Sequence, residues 1–422
     1  ATKNFHILRT AALGALALVV TTWALTPRAA AQNIYDRSQI VPEVPVTSSF
    51  DEDPEYNLRL GPFDIGFAVG VTGEWNDNVN LAPDDEAISD FIVRPFAQID
   101  GVWRLSELNE LRLSLGIGYN WYAQNSEFNS ESVILSPTSA LAFSFFVGDF
   151  RITISDAFSY QEDPLALPTI SNQANYRRFE NQVGVQVDYN ASEQVILTGG
   201  YTHYNLWTVD EEFESLENAT DTVYFRPSVE VSPEVVVGLN TSASFTRFAA
   251  EDRGNSQNYL VGPFIDYALS EYTQVRFEAG WQRTHFDSQL ADGDAQRDDS
   301  FYFRGVITNE LNEAFSQRLA FSNFVEPGFD SNYYTRFRVD YGFDWEFMPY
   351  LSLRPLVFYE YFESSAPGGE QGDRYGFQLG LGYRLTPSIS LNASYRFILK
   401  NSDLPDADYT QNVVTLTIAY EF

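Results

Sequence analysis

Cysteine is absent from the 422 residues, which excludes disulfides, thiolate metal sites and a cysteine nucleophile. Lysine is almost absent: Lys3 and Lys400 are the only two. Histidine is rare, with His6, His203 and His285, and none sits in a pattern that pairs it with a nucleophilic serine. No enzymatic activity is expected, and no cofactor or resident metal is indicated. After residue 25 there is no apolar run long enough for a transmembrane helix. Mean hydropathy is −0.24. Basic charge is outnumbered, 26 Lys and Arg against 58 Asp and Glu, for a net charge of −32. A nucleic-acid partner, which needs a basic surface, is therefore not expected.

The first residues read as a targeting segment. Lys3 and Arg9 precede an apolar stretch from Ala11 to Leu25, and Ala29-Ala30-Ala31 supplies a small-residue cleavage site. Residues 1–31 are expected to be a signal peptide, cut before Gln32. Residues 32–60 are acidic and carry Pro42, Pro45 and Pro54, the composition of a periplasmic linker without regular structure.

What the chain has in quantity is alternation. Aromatic residues make up 16% of it. From residue 61 to 422, amphipathic segments of about 13 to 15 residues follow one another, beginning at 63–75, 90–104, 110–123 and 131–146 and ending at 409–422. A strand has period 2, so each such segment puts apolar side chains on one face and polar ones on the other. In 110–123 the apolar face is Leu111, Leu113, Leu115, Ile117, Tyr119 and Trp121. In the last segment it is Val414, Leu416, Ile418, Tyr420 and Phe422. Tight connections such as Gly148, Pro233 and Met348-Pro349 alternate with longer acidic loops such as 76–89, 162–176 and 287–297. That count predicts an all-β fold: a transmembrane antiparallel up-and-down β-barrel of about 18 strands.

Apolar faces must then meet lipid and polar faces a lumen. The lumen set comprises Arg94, Arg112, Arg226, Arg276, Arg304, Arg318, Arg338, Arg354, Arg384 and Arg396, with Asp340, Glu278 and Glu360. Charges at this density read either as cross-strand ion pairs that stiffen the wall or as a cation ladder that guides cargo, and the two can coexist. Eighteen strands enclose more space than side chains fill. Loop 162–176, with Pro164 and Pro168, is the best candidate for a constriction. Trp75, Trp121 and Trp207 are expected in the outer membrane girdle, and Trp103, Trp345 and Phe422 in the inner one. Asn76-Asp77-Asn78 with Asp84-Asp85-Glu86 has calcium-type oxygen ligands but reads more simply as solvated charge.

A closing strand that ends on an aromatic residue, here Phe422, resembles the C-terminal pattern of bacterial outer-membrane barrels. Gly73-Glu74-Trp75-Asn76-Asp77-Asn78-Val79, followed by repeated Leu-Ser-Glu, Ala-Ser-Glu and Leu-Thr-Pro turns, resembles the β-barrel porin 2 group of outer-membrane proteins. This resemblance implies the bacterial outer membrane, with lipid and the barrel-assembly machinery as partners, the latter through the strand ending in Phe422. It further implies an association with polysaccharide export. The expected function is a pore for hydrophilic solutes or glycans. The alternative is a structural or adhesive barrel acting through its acidic external loops.

Overall fold

The computed structural model describes residues 58–422. The expected signal peptide and all of the expected linker up to residue 57 lie outside these residues. Residues 58–60 depart from the linker expectation: Leu58–Leu60 is a short strand antiparallel to the start of Phe63–Asn76.

Every sequential pair of wall strands is antiparallel, from Phe63–Asn76 with Asp90–Arg104 to Ile389–Ser402 with Tyr409–Glu421. The last strand then pairs with the first, from Ala68↔Glu421 to Asn76↔Val413. The sheet closes on itself with eighteen wall strands. Closure gives every edge strand a partner, which an unsolvated backbone requires.

Two wall strands are broken, where the sequence pattern predicts continuous ones. The fourth consists of Ile134–Leu135 and Ala140–Val147, interrupted around Pro137, which has no N–H to give the ladder. The third consists of Glu110–Gly118 and Trp121–Tyr122, and its gap faces Pro95 on the neighbouring strand. Pro95, Pro227, Pro263 and Pro355 all occupy outward register positions, so their rings meet lipid.

The tight turns lie at one rim. Val147 and Phe150 pair across Gly148-Asp149, and Gly148 takes φ +61. A two-residue hairpin that twists with its strands needs such a left-handed residue, which glycine adopts without a Cβ clash.

The outer face is apolar and uncovered. Leu416 is 58% exposed and Val223 56%, each flanked on its strand by more sheltered inward residues. No water-soluble domain leaves a belt of this kind bare. The expected faces hold: Leu113 and Ile117 are exposed while Ser114 and Gly116 are buried, and Phe377 and Leu381 are exposed while Gly376 and Gly382 are buried. Leu115→Arg and Leu379→Arg are predicted to cost about 2–4 kcal/mol each in a bilayer. Urea titration of the barrel in lipid vesicles measures this. Unchanged unfolding midpoints would invert the face assignment.

Candidate functional site

The loops at the far rim fold inward and lock together. Loop 209–217 carries the short 3-10 turn Glu211–Leu216, whose Phe213 and Leu216 pack with Ile170 and Tyr176 of loop 162–176. Arg253 donates to the carbonyls of Ser215 (2.8 Å) and Asn332 (3.3 Å) and lies over the Phe248 ring. Burial pushes its guanidinium down to about 10, so it stays charged at neutral pH. The Asp294 carboxylate accepts from the Asn332 N–H and from the Ser365 hydroxyl, both at 2.6 Å. Five loops are tied by these bonds.

Loop 162–176 goes deeper. It leaves the fifth strand, Phe150–Gln161, and docks on the sixteenth to eighteenth, seven or fewer steps away around the closed wall. Leu165 packs against Leu81, Ile398 and Tyr409, and its carbonyl accepts from Arg374 Nη1 at 3.1 Å. Lys400 donates to Ser171 Oγ at 2.8 Å and pairs with Glu370 at 2.7 Å. The Asp163 side chain caps Leu165 N–H, and Pro164 starts the turn Pro164–Ala166. This loop therefore crosses a chord of the barrel and narrows it, as the sequence suggested.

Below the loop, one side of the lumen is a continuous ion-pair network. Glu360 accepts from Arg336 (2.7 Å), Arg374 (2.8 Å) and Arg338 (3.3 Å). Arg336 also reaches Glu326 at 3.3 Å, whose other bond comes from the Tyr334 hydroxyl at 2.5 Å. Downward, Asp340 pairs with Arg338 (3.4 Å) and Arg318 (3.3 Å), and below these Asp344 and Arg354 form a separate pair (2.6 Å). Five arginines face four carboxylates. The Arg338 guanidinium stacks on Phe358 at 4.4 Å. Phe358 in turn lies over the bare backbone of Gly376, where a Cβ would come within 1.9 Å of its ring.

The other side is neutral and hydroxyl-rich. Thr222 and Ser244 share a hydrogen bond of 2.8 Å, Thr220 and Thr246 one of 2.9 Å, and Asn258 donates to Thr284 at 2.7 Å. A small cavity opens there, lined by Ser242, Ser244, Asn258, Gln282 and Thr284, and it reaches Glu326 of the ion-pair network. Between the two sides Glu278 accepts from Asn240, Tyr302 and Arg304, at 2.9, 2.7 and 2.8 Å.

All thirteen lumen residues named from the sequence occupy inward register positions. Beyond those above, Arg94 pairs with Glu74 (3.1 Å), Arg112 with Glu110 (2.9 Å) and Arg276 with Asp266 (2.7 Å). Arg226 stacks on Phe264 at 4.0 Å, Arg396 donates to Gln411 at 3.4 Å, and Arg384 is exposed at the tight-turn rim. Ion pairing thus dominates over an open cation ladder. Trp75, Trp121 and Trp207 face outward at the loop end, Trp103 and Trp345 at the turn end, and Phe422 packs on Phe67 there. Asn76, Asp77 and Asn78 use their oxygens to brace loop 77–89 on residues such as Ala82 and Asn412.

The sequence places Arg336 on the polar face of segment 331–346 but names neither Arg374, Glu326 nor Lys400 as lumen-lining, although all four share the inward phase of their strands. The same alternation would have found them. The docking of Leu165 on Arg374 had no local signal.

No family model matches this sequence, and no curated protein matches it. Solved barrels resemble it in outline. OpdK of Pseudomonas aeruginosa with vanillate is 10% identical, covering 85% of this chain and 99% of its own, with a TM-score of 0.47. OpdQ of the same organism is 9% identical, covering 86% and 99%, with a TM-score of 0.48. OccAB3 of Acinetobacter baumannii is 10% identical, covering 85% and 99%, with a TM-score of 0.47.

Two predictions follow from the cap. Arg374→Ala with Lys400→Ala removes two of the polar tethers of loop 162–176, leaving those of Ser171 to Ala407 and of Asn172 to Asp406, and the amides around Leu165 are expected to exchange hydrogen severalfold faster than in the parent. Equal rates would mean that the apolar packing of Leu165 and the remaining hydrogen bonds hold it without these two cations. The second concerns Glu162, whose carboxyl burial pushes up against the bonds from Ser130 and Asn120 and the nearby Arg177. Burial likewise raises Asp330. A carboxyl raised in the folded state favours folding when protonated, and that advantage disappears as pH climbs through the raised value. Loops 162–176 and 328–332 are therefore expected to be more protected at pH 5 than at pH 7.5, after correction for intrinsic exchange. Glu162→Gln should remove much of this difference around residue 162.

Proposed function

We propose that this chain is a pore of the bacterial outer membrane that passes hydrophilic solutes, glycans among them, and that it is not an enzyme. One observation carries the reading: a closed wall of eighteen strands that is apolar outside and polar inside from rim to rim. Eighteen strands leave room for an aqueous channel. The hydroxyl-rich wall suits a polyhydroxylated cargo, because sugars offer hydroxyls to bond. The adjoining ion-pair wall suits a polar or charged one. This supports an exopolysaccharide as one cargo class, in line with the resemblance drawn from the sequence. The strand Tyr409–Glu421, with Phe422 behind it, is the element we assign to recognition by the barrel-assembly machinery.

The interlocked loops favour a second reading, in which a rigid acidic surface matters more than the bore. Planar-bilayer recording of the refolded chain separates the two. A pore gives discrete conductance steps, and replacing residues 163–175 by a short Gly-Ser bridge enlarges them severalfold. Arg338→Glu with Arg384→Glu moves ion selectivity toward cations. Silence from the parent and from the bridged variant alike would discard the pore and leave the structural barrel.

A further inference from the structure

Among the described residues, the wall strands carry three cations that break the inward phase: Arg247, Arg283 and Arg297. All three stand on the outer surface at the loop end of the barrel. Arg247 is the penultimate residue of Val235–Phe248, Arg283 lies near the end of Thr273–Phe286, and Arg297 opens Arg297–Asn312. Their side chains are 63%, 42% and 55% exposed. Each is held upright by a carboxylate. Asp221 holds Arg247 at 2.7 Å, and Asp299 holds both Arg283, at 2.5 Å, and Arg297.

Both described histidines belong to the same patch. His203 Nδ1 is 2.8 Å from Asp221, and His285 pairs with Arg297 across the ladder. On the wall strands three arginines meet two aspartates, and the exposed acids Glu251, Asp252 and Asp287 stand in the loops above them. Elsewhere at the loop end the outward wall charges include the acids Glu363 beside Tyr361 and Asp373 beside Tyr359. A chain of net charge −32 thus puts its outward cations in one place.

Height identifies the occupant. One outward step below Arg247 and Arg283 stand Phe245 and Trp281, and two steps from Arg297, past Asp299, stands Phe301; Arg283 stacks over Trp281 at 4.7 Å. Interfacial aromatics sit at the boundary between hydrocarbon and headgroups. Two residues along a strand rise about 6–7 Å, which lifts the guanidiniums to headgroup level. Guanidinium binds phosphate through paired N–H donors. We propose that Arg247, Arg283 and Arg297 form a docking site for the phosphate groups of a phosphorylated glycolipid in the outer leaflet, with Phe245, Trp281 and Phe301 against its acyl chains. The patch fixes the barrel's height and tethers lipid to one side of it. It is independent of what passes through the bore.

The test uses the full chain in mild detergent, with diphosphorylated lipid A and its dephosphorylated form as probes. The parent should bind the phosphorylated probe at least tenfold more tightly, read by quenching of tryptophan emission. Arg247→Gln with Arg283→Gln and Arg297→Gln should erase that preference, while Glu363→Gln with Asp373→Asn should keep it. Folding of each variant is checked by heat-modifiable electrophoretic mobility. If the triple variant does not fold, Arg297→Gln alone should weaken the preference severalfold. Equal affinity of the parent for both probes overturns the proposal. So does a triple variant, or a folded single one, that retains the full preference. A parent dimer that the arginine substitutions dissociate, without any preference for the phosphorylated probe, would give the patch to a second copy of the chain instead.

Discussion

A backbone in hydrocarbon has no water to satisfy its N–H and C=O groups, so each must find its partner within the protein. The pairing of Phe63–Asn76 with Tyr409–Glu421 meets that requirement, because it removes the last two open edges. The rest of the molecule depends on this closure. Once the sheet is a cylinder, every side chain faces either lipid or lumen. The outward prolines fit the same constraint. Each sacrifices a ladder donor while its ring points into lipid, and Pro95 and Pro137 mark the places where the third and fourth strands break.

The lumen carries the opposite problem. Arg336, Glu360 and Arg374 are buried and close together, and an isolated buried charge is costly. The network answers by alternating sign down the wall, from Glu326 through Arg336 and Glu360 to Arg338 and Asp340. The top of that network is also where loop 162–176 lands, on Arg374 and Lys400. The groups on the inner wall are thus the groups that hold this loop. The neutral wall of Thr222, Ser244 and Thr284 offers hydrogen bonds without fixed charge. The inner wall thus carries two different chemistries on adjoining stretches.

Particular residues show how far alternation reaches. Leu113, Leu115 and Ile117 against Arg112, Ser114 and Gly116 need only a period of 2 to be sorted, and the structure sorts them that way. Arg336 and Arg374 obey the same phase as Arg338 and Arg384, so their omission from the lumen set was a choice of residues and not a gap in the signal. His203 and Arg247 had a legible phase too, but their meaning depends on neighbours from other strands. Asp221 approaches both only because the register Asp221↔His203 brings the strands together at that height.

Strand number, face assignment and the alternation of short turns with long loops were determined by sequence alone, because each is set within one hairpin by period and turn chemistry. Which carboxylate meets which arginine, and where loop 162–176 comes to rest, were decided only by tertiary structure. Leu165 and Arg374 are separated by 209 residues. Their contact exists because the cylinder closes at a fixed circumference and brings distant strands within reach of one loop. No local pattern encodes that distance. It is a property of the whole ring of pairings, completed when the last strand meets the first.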